Sequence, residues 1–307
     1  MSSVFGLAAI RKPAGLTSFK ALAPLKRKTG ITKIGHTGTL DLFASGLLVV
    51  LIGGYSHLAP WFTSLDKRYR ARILFGEETD TLDPEGKVIA TALAPTLADL
   101  EAALPSFRGA IVQRPPSFSA IHVAGKRAYE RVLAGETLEM AERPVTIREL
   151  TLEGYDGNEA EISVVCSSGT YIRSLARDIA LAIGSRARLA ALERSSVGPF
   201  KLENAVFAED FDSNLHLWQL DPDMASELGL RPRRIGESSK RVFLNGGRLP
   251  FSAFSDFPSS FEARNYASPV CSAVFAEDDS LLGVVEEGTS TNGNGDLRYR
   301  FVLSRST

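Results

Sequence analysis

Cysteine is scarce in this chain. Two in 307 residues, Cys166 and Cys271, with no CxxC, exclude a disulfide framework and a cysteine zinc site and fit a reducing cytoplasm. Histidine is also sparse, four residues scattered singly with no HExxH, so no metal is expected. Long apolar runs are missing. The longest, Leu47 to Ile52, is far too short to span a bilayer, so no membrane association is expected. The opening MSSVFGLAAIRKPAG places no basic segment before its short apolar run, and no secretory leader is expected. The most telling absence is of acid: Asp41 is the first acidic residue.

Net charge is −1, but it is unevenly spread. Residues 1–72 hold eleven Lys and Arg against Asp41 and Asp66, a segment of +9, which leaves −10 for the remainder. Such asymmetry suits a surface facing a polyanion. A solvated basic face beside an acidic domain would give the same numbers. With 44% hydrophobic and 23% charged residues, a packed globule of one large and one small domain is expected.

Val4 to Ile10 alternates as a strand. Thr17 or Ser18 caps a basic helix running to about Lys28, stopped by Gly30. Leu47 to Ile52 reads as a buried strand, Ser56 to Leu65 as a short helix, and Lys67 to Gly76 as a strand. Pro95 to Phe107 has helical spacing, with Leu97, Leu100 and Leu104 on one stripe. QRPPSFS, Gln113 to Ser119, cannot be regular, and a helix is expected over Gly125 to Ala134. Val145 to Tyr155 and Glu159 to Cys166 form a hairpin across Asp156-Gly157-Asn158. Thr170 to Ile183 is an amphipathic helix, and Arg188 to Val197 returns as a strand. Asp212 to Arg234 reads as a connection. RVFLNGGRLPF, SAVFAED and LLGVVEE read as short strands of a small β domain. Hairpins outnumber βαβ units, which favours an α+β fold with a mixed, largely antiparallel central sheet flanked by helices. The expected division is a catalytic domain over 1–220 and a small C-terminal β domain over 221–307.

GHTGTLDLFASG, Gly35 to Gly46, looks like a phosphate loop and fails as one. It lacks the GK[ST] of a P-loop and the spacing of GxGxxG. What remains is a carboxylate, Asp41, in a tight loop whose glycines permit a sharp turn and whose Thr37 and Thr39 offer local hydrogen bonds. A turn Asp satisfied by backbone N–H groups is one reading. The other is a poorly solvated base or nucleophile, Asp41, which then needs a cationic partner elsewhere. CSSGTYIRSLARD supplies a candidate: Tyr171 and Arg173 share a face if the segment is extended, whereas on a helix face they would be ordinary. In DKRYRARILFG, Arg68, Arg70 and Arg72 alternate with Lys67, Tyr69 and Ala71. An aromatic among cations suits base stacking beside phosphate contacts, and an edge strand protected by charge fits as well. Cys166 is expected to pack in its strand, and the acids of EETDTLDPEG are expected to be a solvated turn.

In this order, KPAGLTS (Lys12 to Ser18), GHTGTLD (Gly35 to Asp41), ASG (Ala44 to Gly46), DKRYRARILFG with its TDTLDPEG turn, RPPSFSAIHVAGKRAYE, ERPVTI and CSSGTYIRSLARD resemble the TruB-type tRNA pseudouridine-55 synthases over about residues 10–200. The resemblance implies a pseudouridine synthase fold. It also implies an RNA-gripping thumb at about 111–140 and a C-terminal domain similar to a PUA barrel. It makes Asp41 the catalytic aspartate, Tyr69 the tyrosine that stacks on the target uracil, and Arg173 the partner of the carboxylate. His36, Tyr171 and Leu192 fall at substrate-contacting positions, and Lys12 and Pro13 in a motif packed near the site; Lys12 is expected to contact substrate as well, and Arg68 and Arg70 are expected to do so from their alternation with Tyr69. The implied activity is isomerisation of uridine 55 in the tRNA T-arm after base flipping, by a cytoplasmic monomer needing no cofactor, metal or obligate protein partner. Asp41 either adds covalently to the nucleoside or assists C2′ deprotonation through a glycal-like intermediate. Departures from the family pattern are Leu42-Phe43 for Pro-Leu, Ser45 for Thr, and Ile121-His122 for Leu-Lys. Two other readings are an RNA chaperone that folds the tRNA elbow and a guide-RNA-dependent relative. The short chain without basic tails argues against the latter.

Overall fold

Alternation along the first strand sends its side chains into two different cores, and this sets the architecture. A computed structural model describes residues 5–119, 122–123, 126–127, 131, 136, 140–257, 269–288 and 297–303. Most of the expected thumb, including Ile121 and most of the helix expected over 125–134, lies outside the described residues; within that range Lys126 and Arg127 are not helical but pair as a short strand with His122 and Val123, while Arg131 is helical.

The first strands are β1 (Gly6–Lys12), β2 (Ile34–His36), β3 (Ser45–Ile52), β4 (Lys67–Phe75), β5 (Glu77–Thr79), β6 (Val88–Thr91) and β7 (Gly109–Gln113). Then follow β8 (His122–Val123), β9 (Lys126–Arg127), β10 (Arg143–Tyr155), β11 (Glu159–Cys166), β12 (Ala187–Val197), β13 (Phe200–Lys201) and β14 (Val206–Phe207). The C-terminal strands are β15 (Arg231–Ile235), β16 (Phe254–Asp256), β17 (Val270–Phe275), β18 (Leu281–Glu287) and β19 (Leu297–Val302). The large sheet has ten strands in the order β14-β1-β3-β12-β4-β11-β10-β7, with β2 added to β3 and β13 to β12. Within this sheet, among the described residues, only β1–β14 and β3–β12 pair in parallel, so it is mixed and largely antiparallel, as expected. A second sheet runs β16-β15-β17-β18-β19.

On β1 and β3, Ala8, Ile10, Leu48, Val50 and Ile52 face a core shared with the helix Ile172–Ala182 and strands β4, β11 and β12. Leu7, Ala9, Leu47, Val49 and Leu51 face the opposite core, which includes Ala225, Phe275, Leu281 and Val284. The C-terminal sheet therefore packs on the back of the large one. The candidate site lies on the front.

Four local expectations need correction. The basic helix is two pieces, Ser18–Ala21 and Ala23–Thr29. Thr17 caps the first, Gly30 at φ 66° stops the second, and Pro24 breaks the run because it cannot donate an N–H to the preceding turn. Leu97 is 48% exposed and leaves the stripe to Leu100 and Leu104. Arg241 to Leu244, expected as strand, belong to the helix Glu237–Leu244, where an apolar run of three, Val242 to Leu244, fits either period. Arg231 to Arg234, expected as connection, lie in β15, second from the edge of the C-terminal sheet.

Candidate active site

Asp41 sits in the loop between β2 and β3, and the carbonyls of Gly38, Leu40, Leu42 and Ala44 are held from outside the loop. Arg194 Nη2 donates to Gly38 O at 3.0 Å. Ser18 Oγ both donates to Leu40 O at 3.1 Å and accepts from Leu40 N at 2.9 Å. Ala44 N donates to Asp41 O at 3.2 Å, and Gly15 N to Leu42 O at 2.8 Å. Lys12, with no exposed surface, donates from Nζ to the carbonyls of Pro13, Leu42 and Ala44. KPAGLTS is thus a clamp on the aspartate loop. The clamp, rather than Thr37 or Thr39, supplies the rigidity. Lys12 is committed to three carbonyls, so the structure places it as a brace and not at a substrate surface. Burial lowers its pKa to about 8, with Asp41 opposing.

The glycine requirement also falls differently from expectation. A Cβ on Gly35 meets nothing within 4 Å, and on Gly38 only Arg194 Nη1 at 3.4 Å. Gly46 is the demanding one. Its φ is +116°, and a Cβ there meets the Arg194 backbone O at 2.4 Å and N at 2.5 Å, where β3 and β12 pair side by side.

Arg173 reaches Asp41 from the second residue of the helix Ile172–Ala182. Extended backbone, which would put Tyr171 and Arg173 on one face, stops at Tyr171, the residue preceding that helix. Arg173 Nη2 donates to Asp41 Oδ1 at 2.9 Å and to Phe118 O at 3.0 Å. Nη1 donates to Thr81 O at 2.8 Å and lies 3.4 Å from Asp83 Oδ2. The guanidinium is 4% exposed, Asp83 7% and Asp41 34%. Arg173 and Asp83 are buried, and Asp41 is the more exposed member of the network. Burial raises the Asp41 carboxyl above its usual range; Arg173 opposes and Asp83 reinforces the rise.

Asp83 corrects the reading of EETDTLDPEG as a solvated turn. Its carbonyl accepts from Thr79 Oγ1 at 2.8 Å and its Oδ1 from Thr81 Oγ1 at 2.5 Å and Glu85 N at 3.0 Å. Its neighbour Leu82 takes φ 61°. A non-glycine residue in left-handed backbone inside an acidic turn is a cost that only specific packing offsets. Sequence pattern does not show it.

On β4, Tyr69 is buried and faces the same core as Ala71 and Leu192. Leu192 stands opposite Ala71, and Arg194 opposite Tyr69, in the β4–β12 ladder. Burial raises the Tyr69 phenol, and the charge of Arg194 opposes this. Arg68 and Arg70 alternate to the other face of the sheet, so the structure does not bring them to Asp41. Arg68 pairs with Glu149 at 2.8 Å and Arg72 with Glu159 at 2.9 Å. Because β4 lies between β12 and β11, protection of an edge strand cannot explain these arginines.

Tyr171 is fixed through its backbone by Gln113, fully buried, which accepts from Tyr171 N at 2.8 Å and donates to Tyr171 O at 3.0 Å. The Arg143 guanidinium lies 5.7 Å from its ring centroid. His36, on β2, has its pKa lowered by burial and by Arg194, and its Nδ1 has no partner among the described residues. Cys166 packs in the core with its thiol pushed up to about 11. Leu42 is 38% exposed and Phe43 packs against the front core; both departures leave the clamp intact. Among the described residues no group of three or more His, Cys, Asp or Glu is arranged to hold a metal.

Residues 26–172 match the TruB family pseudouridylate synthase (N terminal domain). The chain is similar to a tRNA pseudouridine synthase B of Treponema pallidum (strain Nichols), 44% identical over 239 residues, 70% of this chain and 64% of that protein, so the match spans just under two thirds of that relative. It is 44% identical over 208 residues to one of Borreliella burgdorferi (strain ZS7), 67% of this chain and 74% of that protein. With one of Arthrobacter sp. (strain FB24) it shares 37% identity over 290 residues, 92% of each. The fold is also that of the crystal structure of a Cbf5-Nop10-Gar1 complex, at TM-score 0.70 and 20% identity, covering 98% of this chain and 85% of that one. By these matches the chain belongs to the TruB family of pseudouridylate synthases.

Proposed function

We propose that this protein is a tRNA pseudouridine synthase that isomerises uridine 55 of the T-loop, with Asp41 as the catalytic carboxylate. The observation that carries this is the Asp41–Arg173 pair, in which a buried cation holds a partly exposed carboxylate in a loop whose Leu40 packs in the same core as Tyr69, Ala71 and Leu192. Pseudouridine formation breaks C1′–N1, turns the detached uracil and joins C1′ to C5, after which the C5 proton leaves. A base stacked and paired in an RNA arm cannot turn, so the nucleotide must flip out at a cost of a few kcal/mol. Stacking on Tyr69 offsets part of that cost. Leu192 and Ala71, packed in the same core as Tyr69, supply the apolar wall that retains the free uracil and excludes water.

Asp41 either adds to C1′ or takes the C2′ proton on a glycal route. Both routes need the ionised carboxylate, which Arg173 favours against the burial that raises its pKa. The basic N-terminal segment, with Arg27 and Lys28 exposed on the helix Ala23–Thr29, supplies the phosphate-facing surface. Residues 1–220, which carry the ten-stranded sheet, form the catalytic unit. The test is purified protein on unmodified tRNA, with pseudouridine read by position. Product at position 55 alone supports the proposal. RNA binding without pseudouridine would favour the chaperone reading.

A further inference from the structure

The helix that delivers Arg173 begins without a side-chain cap: Tyr171 precedes it and makes no side-chain hydrogen bond to its first turn. A capping side chain would fix how the chain enters a helix. Here the entry is fixed from another element. Gln113, the last residue of β7, is fully buried. Its carboxamide pairs with the Tyr171 backbone in both directions, accepting from N at 2.8 Å and donating to O at 3.0 Å. Only one orientation of that amide works, because the peptide N–H must meet its oxygen and the peptide carbonyl its NH2.

The residues after Gln113 continue the attachment. Arg114 O accepts from Ser174 Oγ and from Arg177 Nη2, both at 2.9 Å. Phe118 O accepts from Arg173 Nη2 at 3.0 Å. Between them stand Pro115 and Pro116, both buried, whose rings fix φ. A stiff segment therefore holds residues 171, 173, 174 and 177 at the start of the helix. Arg173 Nη2 divides its two hydrogens between Phe118 O and Asp41 Oδ1, so a slip of the helix against this segment changes the bond to the carboxylate. We infer that Gln113 is a positioning residue: by pairing with the Tyr171 backbone it sets the start of the helix, and with it the reach of Arg173 to Asp41. An apolar side chain of the same length would fill the space but leave the Tyr171 N–H without this partner.

The charges around Asp41 are Arg173 from this helix, Asp83 and Glu85 from the acidic turn, and Lys12 from β1. The nearby phenols of Tyr69 and Tyr171, raised by burial, stay neutral. Of these charges Arg173 alone is carried by the helix that Gln113 holds. A loosened helix start therefore weakens the Arg173 contact, and the carboxyl then ionises at higher pH.

The inference rests on the proposed reaction for what Asp41 does, and the test separates the two. Protein labelled with 13Cγ-aspartate is titrated without RNA, the Asp41 resonance being assigned by its loss in Asp41→Asn. Gln113→Met is expected to move the Asp41 midpoint up by about half a pH unit or more. It is also expected to slow single turnover on a T-arm stem-loop about tenfold while the dissociation constant stays within about threefold. Phe243→Leu, a change in the core of the C-terminal sheet, controls for lost stability and is expected to leave the midpoint in place. An unmoved midpoint or wild-type turnover in Gln113→Met, or a midpoint that moves as far in Phe243→Leu, would overturn the inference and leave Gln113 as an ordinary core hydrogen bond. Where Gln113→Met does not fold, Gln113→Asn, whose carboxamide falls one methylene short of Tyr171, decides in its place. The titration needs no substrate, so a wild-type protein that makes no pseudouridine would sink the proposed reaction, and the midpoint alone would then decide on Gln113.

Discussion

Arg173 donates to Asp41 across 2.9 Å from a side chain that is 4% exposed to one that is 34% exposed. The same guanidinium faces Asp83 at 3.4 Å. One cation therefore sits between two carboxylates whose charges oppose each other, and the site's pH behaviour follows from which neighbour is removed.

Burial and Asp83 raise the Asp41 carboxyl, and Arg173 lowers it. The acid limb of the pH–rate profile is expected above the ordinary Asp value of about 3.9. Asp83→Asn removes a like charge and should move that limb to lower pH. Arg173→Met removes the counter-charge and should move it to higher pH. Shifts in the same direction for both variants would contradict the network. Arg173→Met also leaves Asp83 buried without its cation, for a stability loss of about 3–5 kcal/mol, read by urea denaturation.

The raised pKa has a consequence for stability. The unfolded Asp41 ionises near its ordinary value and the folded one only at higher pH, so between them the folded state binds more protons. Stability from this group therefore falls as pH rises through that window. Asp41→Asn lacks the titration, so its melting temperature relative to wild type should increase as pH is raised from about 4. A difference that stays flat with pH would show that Asp41 is not strained by burial.

Lys12 holds the carbonyls of Leu42 and Ala44. Lys12→Met leaves buried acceptors unsatisfied, at about 1–3 kcal/mol each. Turnover should fall with little change in RNA affinity, because the ammonium does not reach the surface. A large loss of affinity with unchanged turnover would make Lys12 a phosphate contact after all.

Gly46→Ala drives a Cβ into the Arg194 backbone at a φ of +116°, and a loss of more than about 2 kcal/mol is expected. Gly35→Ala meets open space and should be nearly neutral in chemical denaturation. Equal effects would show that the loop glycines, not the β3–β12 contact, set the backbone.

Much of this was legible from pattern. The period-2 alternation of β4 separated Tyr69 from Arg68 and Arg70 correctly, and the lone Asp41 in an acid-free segment pointed to a carboxylate needing a cation. The pattern did not show that the two sets face opposite sides of an interior strand, because strand neighbours are set by long-range pairing. Asp83, Gln113 and Arg194 were missed for the same reason. Each acts through a partner at least 58 residues away, and a buried polar residue looks in sequence like any solvated one. The helix at Arg241 to Leu244 was missed because short apolar runs fit both periods.

The central claim is that Asp41 does chemistry rather than hold a turn. The most direct test is Asp41→Asn on an unmodified T-arm stem-loop, with pseudouridine quantified by position and binding measured on the same preparation. The account predicts no pseudouridine above background and a dissociation constant within about threefold of wild type, less than 1.4 kcal/mol. Substantial turnover by the variant would contradict it.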